Sequence, residues 1–179
     1  GGFPLMNLAA RHGDRVARAV IIDTPLRPPS AADAKRRHRA DGLRSAKVYA
    51  SLADALKRFR LLPAQACAHP FIADVIARRG LKQVVGPDGQ PGWVWRFDPF
   101  LFRHFSFGRP YRDLRAAQCP VTLVRGGRSR LITTELFANA VALAPAGTQT
   151  LELPDADHHV MIDQPQAFAE LLASLAPAA

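Results

Sequence analysis

The sequence predicts the α/β class, a parallel sheet covered by helices with a mostly helical block inserted into it. Three observations lead there. Residues 16–23 (VARAVIID) and 121–124 (VTLV) are β-branched, nearly continuous apolar runs, as in strands buried on both faces of a parallel sheet. Helical apolar patterns alternate with such runs, which is the order that builds a parallel sheet with covering helices. From residue 30 to about 79 the pattern turns polar and helical, with Pro63 and Pro70 as breaks between short helices.

Taken in order, Phe3, Leu5, Met6, Leu8, Ala9 and Ala10 give a helical apolar face, and Gly13 suits a C-terminal cap. The strand over 16–23 follows and ends in Thr24-Pro25. Ser30 and Ser51 are placed as N-caps in the insertion, and Tyr49 is expected to pack against one of its helices. Between residues 84 and 97, Gly86-Pro87-Asp88-Gly89-Gln90-Pro91-Gly92 is turn chemistry, so a small hairpin or loop is expected. An aromatic stretch (Phe100, Phe102, Phe105, Phe107, Tyr111) leads to Cys119-Pro120 and the second strand. Residues 133–144 carry Leu136, Phe137, Ala140 and Leu143 on one side of a helix. A third strand is expected at about 148–153, a loop over 154–163 and a last helix over 165–175.

Composition narrows the function classes. With 179 residues, 48% hydrophobic and 22% charged, the chain reads as one globular domain, and no apolar run approaches the roughly 20 residues that cross a bilayer. The two cysteines, Cys67 and Cys119, do not make a disulfide framework, and no cationic, apolar leader precedes the first helix, so a reducing cytoplasm is expected. The net charge of +9 is an arginine effect, with 20 Arg against 4 Lys in an Ala- and Pro-rich chain, as a GC-rich genome produces. The densest basic run, residues 35–39, is flanked by Asp33 and Asp41 and reads as a solvated helix face. Neither a nucleic-acid nor a membrane partner is expected.

In open parallel sheets, ligands sit beyond the carboxyl ends of the strands. Three segments occupy that edge: the turn after Asp23, the loop Gly126 to Arg130, and the loop holding His158 and His159. Asp155-Ala156-Asp157-His158-His159 is the densest titratable cluster. Histidine is the usual general base near neutral pH, and a carboxylate can fix its tautomer. The same residues also suit a surface loop or an adventitious metal site, and Asp23 alone could simply cap a turn.

Taken together, these pieces resemble the C-terminal part of an α/β-hydrolase fold. Gly1-Gly2, an apolar helix and then VARAVIIDTP resemble the stretch after a nucleophile elbow, G-x-S-x-G, with Gly1 as its last glycine. Residues 25–118 resemble the helical cap or lid inserted into such folds, Gly92-Trp93-Val94-Trp95-Arg96-Phe97-Asp98-Pro99 having a form seen in capped members. Residues 1–24 and 119–179 then supply the core, three parallel strands with flanking helices. CPVTLVRGG resembles the seventh strand, and residues 153–165 resemble the histidine loop, which reads G-H, four residues, an acid, any residue, then Pro. That spacing from Asp163 and Pro165 selects His158 over His159.

Two departures accompany the resemblance. Asp157 stands where the family usually has glycine, and the loop after the seventh strand carries Ser129 or Arg130 where many members have the acid. Other members place the acid after the sixth strand, where Asp23 stands. The resemblance therefore implies His158 as base and Asp23 as its orienting acid, with Glu135 the weaker alternative. It implies a hydrolase acting on ester-like or related small acyl substrates, with neither cofactor nor metal. The nucleophile would lie two residues before Gly1, so the chain is expected to need the N-terminal half of the fold and to be inactive alone. A non-catalytic binding or scaffold module of the same fold is the competing reading. The aromatics Trp93, Trp95, Phe97, Phe100, Phe102 and Phe105 are expected chiefly to pack the cap, with an acyl or aromatic substrate pocket as the alternative.

Overall fold

The computed structural model describes residues 1–26, 47–98 and 108–176. The chain divides into two compact units, Gly1–Pro28 with Phe107–Ala179, and Pro29–Ser106. The predicted cap at Ser30 and the aromatics Phe100, Phe102, Phe105 and Phe107 lie outside the described residues.

The first unit is built on a three-stranded parallel sheet of order β1-β4-β5, with β1 at Ala19–Ile22, β4 at Val121–Gly126 and β5 at Gln149–Leu153. The central strand is buried along its whole length. Its neighbours explain the continuous apolar runs. Ala19, Ile21, Val121 and Leu123 face one core cluster, with Met6 and Ala9 of helix α1 (Gly2–His12) and Leu114 of α4 (Pro110–Arg115). The same cluster takes Phe137, Ala140 and Leu143 from α5 (Thr134–Leu143). Val20, Ile22 and Val124 face a second cluster, with Val160 of α6 (Val160–Asp163) and Ala167, Phe168 and Leu171 of α7 (Pro165–Leu175). Alternate residues of one strand thus enter opposite layers, so both faces must be apolar.

The elements follow the sequence closely, with local differences. The first strand is shorter than the apolar run, because Arg18 turns to Thr122 and Gln149 outside the ladder. Gly13 is right-handed (φ −62°) and leads into a single 3₁₀ turn, so it does not form a left-handed cap. Residues 160–163 of the expected loop wind into α6.

Gly2 is required by a close approach. A Cβ there would lie 2.1 Å from Thr24 Oγ1 and 2.8 Å from Thr24 Cβ, so no Thr24 rotamer relieves it. Gly2→Ala is expected to cost about 1–3 kcal/mol through overpacking. Thermal unfolding should show a lowered midpoint, partly restored by adding Thr24→Ala; equal midpoints for Gly2→Ala and the parent would refute the contact.

In the second unit, helices α2 (Leu52–Leu56) and α3 (Pro70–Arg79) accompany an antiparallel hairpin of β2 (Leu81–Val85) and β3 (Pro91–Trp95). The Gly86–Gln90 turn closes it, with Gly86 N donating to Gln90 O at 2.7 Å. Ser51 caps α2 as expected, accepting from Asp54 N. The Ser51 hydroxyl, then Lys57, hold the Asp54 carboxyl below its usual range. Pro70 opens α3 at its first turn, where its missing N–H leaves no gap. The backbone of Tyr49 bridges Trp93 in both directions at 2.8 Å, extending the hairpin. Trp95 stacks near Phe59, with centroids 6.0 Å apart, whereas Phe97 is exposed, so packing does not account for it.

Candidate active site

The carboxyl ends of β1, β4 and β5 bring three loops together around Asp23. This residue is 2% exposed and follows β1 directly. Its φ is +40°, and among the described residues it is the non-glycine with positive φ. A left-handed conformation costs an ordinary residue roughly 1–2 kcal/mol, and Asp and Asn tolerate it best. The strain is held by the ladder, because Asp23 N still donates to Val124 O at 2.7 Å. The backbone leaves the sheet one residue later and the carboxylate is turned across the end of β4.

Three donors converge on that carboxylate. Gly126 N donates to Oδ1 at 2.9 Å, Ser129 Oγ donates to Oδ2 at 2.6 Å, and His158 Nδ1 lies 2.8 Å from the same Oδ2. A carboxylate only accepts, so His158 carries its proton on Nδ1 and presents Nε2 as the acceptor nitrogen. Among the described residues, the hydrogen bond of His158 is this one with Asp23. Its side chain is about one-fifth exposed, and the His159 ring lies edge-on at 4.7 Å.

The histidine loop is fixed from both sides. Asp163 is buried and its Oδ2 accepts from Asp157 N at 2.8 Å, which anchors the residue before His158 to the start of the last helices. Asp157 does not adopt positive φ, so the glycine usual at this position is not needed for the turn. Arg128 N donates to Ala156 O at 3.0 Å and Gly127 N to Leu153 O at 2.8 Å, tying the loop after β4 to the histidine loop. Arg128 and Asp155 also pair, but both are exposed and such pairs contribute little.

Arg125, 8% exposed within β4, organises the third loop. Its Nε donates to Ile132 O at 3.0 Å, and its Nη1 meets Glu152 Oε2 at 2.9 Å, on the residue paired with it across β5. Glu135, the alternative acid, is exposed in the first turn of α5. Among the described residues no three His, Cys, Asp or Glu side chains are grouped as metal ligands would be.

The comparisons with known proteins bear on this arrangement as a whole. A family model described as the alpha/beta hydrolase family matches residues 1–171. The chain belongs to the alpha/beta hydrolase family. As a member of it, the chain is 28% identical over 176 residues to esterase Rv0045c of Mycobacterium tuberculosis, covering 96% of this chain and 56% of that protein. It thus spans little more than half the length of that curated relative. A solved structure of the same esterase superposes with a TM-score of 0.72 at 24% identity, covering 98% of this chain and 59% of that one. A thioesterase domain from the curacin biosynthetic pathway gives 0.70 at 20% identity, covering 97% and 62%. A thermophilic esterase from Thermogutta terrifontis gives 0.65 at 18%, covering 97% and 60%. At these identities the structural likeness concerns the alpha/beta hydrolase fold alone. Among the described residues, no helix is long and apolar enough to cross a membrane.

The sequence singled out Asp23 and His158, and the structure places them in contact. It did not single out Gly126, Ser129, Arg125 or the buried role of Asp163. Arg125 carried a signal, since an arginine inside an apolar strand needs an internal partner. In the sequence Ser129 is marked only by its place where an acid is common.

Proposed function

We propose that this alpha/beta hydrolase chain supplies the general base, His158, and its orienting acid, Asp23, to an enzyme that hydrolyses ester-like small acyl substrates. The observation that carries the reading is the 2.8 Å contact between His158 Nδ1 and a buried carboxylate that accepts from two further donors. The 28% identity to a protein named an esterase supports the substrate class.

In this reading a nucleophile hydroxyl adds to the acyl carbonyl carbon while its proton passes to His158 Nε2. The imidazolium, stabilised by Asp23, returns that proton to the departing alkoxide, and an acyl-enzyme remains. Water then repeats the sequence, giving its proton to Nε2 as its oxygen attacks the acyl carbon, and the nucleophile is regenerated. The nucleophile and the oxyanion amides are assigned to a segment other than residues 1–179, on the resemblance of Gly1-Gly2 to the end of a nucleophile elbow.

The test is hydrolysis of p-nitrophenyl esters of graded acyl length by a polypeptide that joins this chain to its nucleophile-bearing segment. Ester turnover is expected there and not with residues 1–179 alone. His158→Ala should lower kcat by about 10³-fold, within the range a positioned general base supplies. Unchanged turnover in that variant would overturn the assignment, and turnover by residues 1–179 alone would overturn the placement of the nucleophile.

A further inference from the structure

The geometry points to Ser129 as a positioning residue that fixes the carboxylate of Asp23 toward His158, an inference that rests on the acid–base pair proposed above. Ser129 is 6% exposed, and its Oγ lies 2.6 Å from Asp23 Oδ2, the oxygen that meets His158 Nδ1. The direction of its hydrogen bond is set by the carboxylate, which only accepts. Ile132 N donates to Ser129 Oγ at 3.1 Å, and a backbone N–H can only donate. One lone pair of the hydroxyl is therefore taken, and its proton goes to the carboxylate.

Ser129 is itself held by the loop. Its amide donates to Gly126 O at 3.0 Å, while Arg125 Nε holds Ile132 O, so both ends of the 126–132 turn are tied to β4. Two oxygens of Asp23 are thus fixed by two residues of one turn, the Gly126 amide and the Ser129 hydroxyl. Rotation of the carboxylate about its Cβ–Cγ bond would break both hydrogen bonds. A residue that merely filled space would need neither the hydroxyl nor the amide that donates to it.

The consequence can be read on the imidazole. Ser129 and His158 share one acceptor atom, so each weakens the hydrogen bond of the other. Without the hydroxyl, Oδ2 has His158 as its remaining donor, and the shared proton moves closer to it. A loop that had only lost packing would give the opposite or no change.

The experiment is proton NMR of the polypeptide that joins this chain to its nucleophile-bearing segment, with its histidines labelled and the His158 Nδ1–H signal assigned by its loss in His158→Asn. Ser129→Ala should move that signal downfield, Ser129→Cys, a weaker donor, by less, and Ser129→Thr should return it to the parental position. An unmoved or upfield signal in Ser129→Ala overturns the inference. If that variant does not fold, Ser129→Cys decides alone, a downfield shift supporting and an unmoved signal overturning it. Asp23→Asn separates the two readings, because loss or an upfield shift of the Nδ1–H signal there confirms the pair whether or not any ester is turned over. In the ester assay, Ser129→Ala should lower kcat about ten-fold with KM unchanged, part of the roughly 10²–10⁴-fold due to a positioned base.

Discussion

Asp23→Asn is expected to reduce ester turnover by about 10⁴-fold, the loss that follows when an acid–base pair is forced into the wrong tautomer. The size of the effect comes from the donors around the carboxylate. Gly126 N, Ser129 Oγ and His158 Nδ1 all donate, and an asparagine has one oxygen to offer them. With that oxygen toward Ser129 and His158, its amide group confronts the Gly126 N–H. With the amide reversed, His158 must accept at Nδ1, so its proton moves to Nε2 and the base is lost. Either way a buried donor is left unsatisfied, at a cost of about 1–3 kcal/mol of stability. Asparagine tolerates the left-handed backbone at this position nearly as well as aspartate, so backbone strain does not confound the comparison. Glu135→Gln, on the exposed first turn of α5, should leave kcat and KM at parental values. Intact turnover in Asp23→Asn together with its loss in Glu135→Gln would move the acid to Glu135.

Gly126→Ala is expected to have the second largest effect, and for a steric reason. A Cβ on Gly126 would lie 2.5 Å from Asp157 O and 2.6 Å from Ala156 O. Both are backbone atoms of the histidine loop, which cannot yield as a flexible side chain can. That loop is anchored one residue before His158 by the Asp163 carboxylate, so any displacement is passed to the imidazole. The Gly126 amide is meanwhile a donor to Asp23, and a shift of β4 at its end disturbs acid and base together. Overpacking of this kind costs about 1–3 kcal/mol. Circular dichroism should show a folded chain with a lowered unfolding midpoint, and the His158 Nδ1–H signal should be lost. Retention of that signal at its parental position would refute the claim that Gly126 sets the approach of the two loops.

The parts legible in the sequence were those carried by local pattern. The runs over 16–23 and 121–124 announced strands because both faces of those strands enter apolar layers, and Arg18 and Thr122 are the polar positions inside them. His158 was legible because its spacing from Asp163 and Pro165 is a local motif. Asp23 was legible by its place at a strand end. What escaped is long-range. Ser129 meets Asp23 across 106 positions and Gly126 meets it across 103, and no local periodicity encodes such a contact. The bridge of Tyr49 to Trp93 escaped for the same reason, since a single strand-like residue in a helical stretch is decided by its partner. Asp163, legible as a spacing mark, acquired a physical role only when its carboxylate was seen to accept from Asp157 N.

The parallel pairing of β1 with β4 has a consequence for how such chains diversify. Ala19 to Ile22 close directly onto Val121 to Val124 in register, so the acid, its cradle and the base are assembled by strands that flank the whole Pro29–Ser106 unit. The entropy of closing such a connection grows only logarithmically, and doubling its length costs about 0.6 kcal/mol. Insertions and deletions in that unit therefore weigh little on the contact between Asp23 and His158. Its length can drift while the chemistry at the strand ends is inherited unchanged.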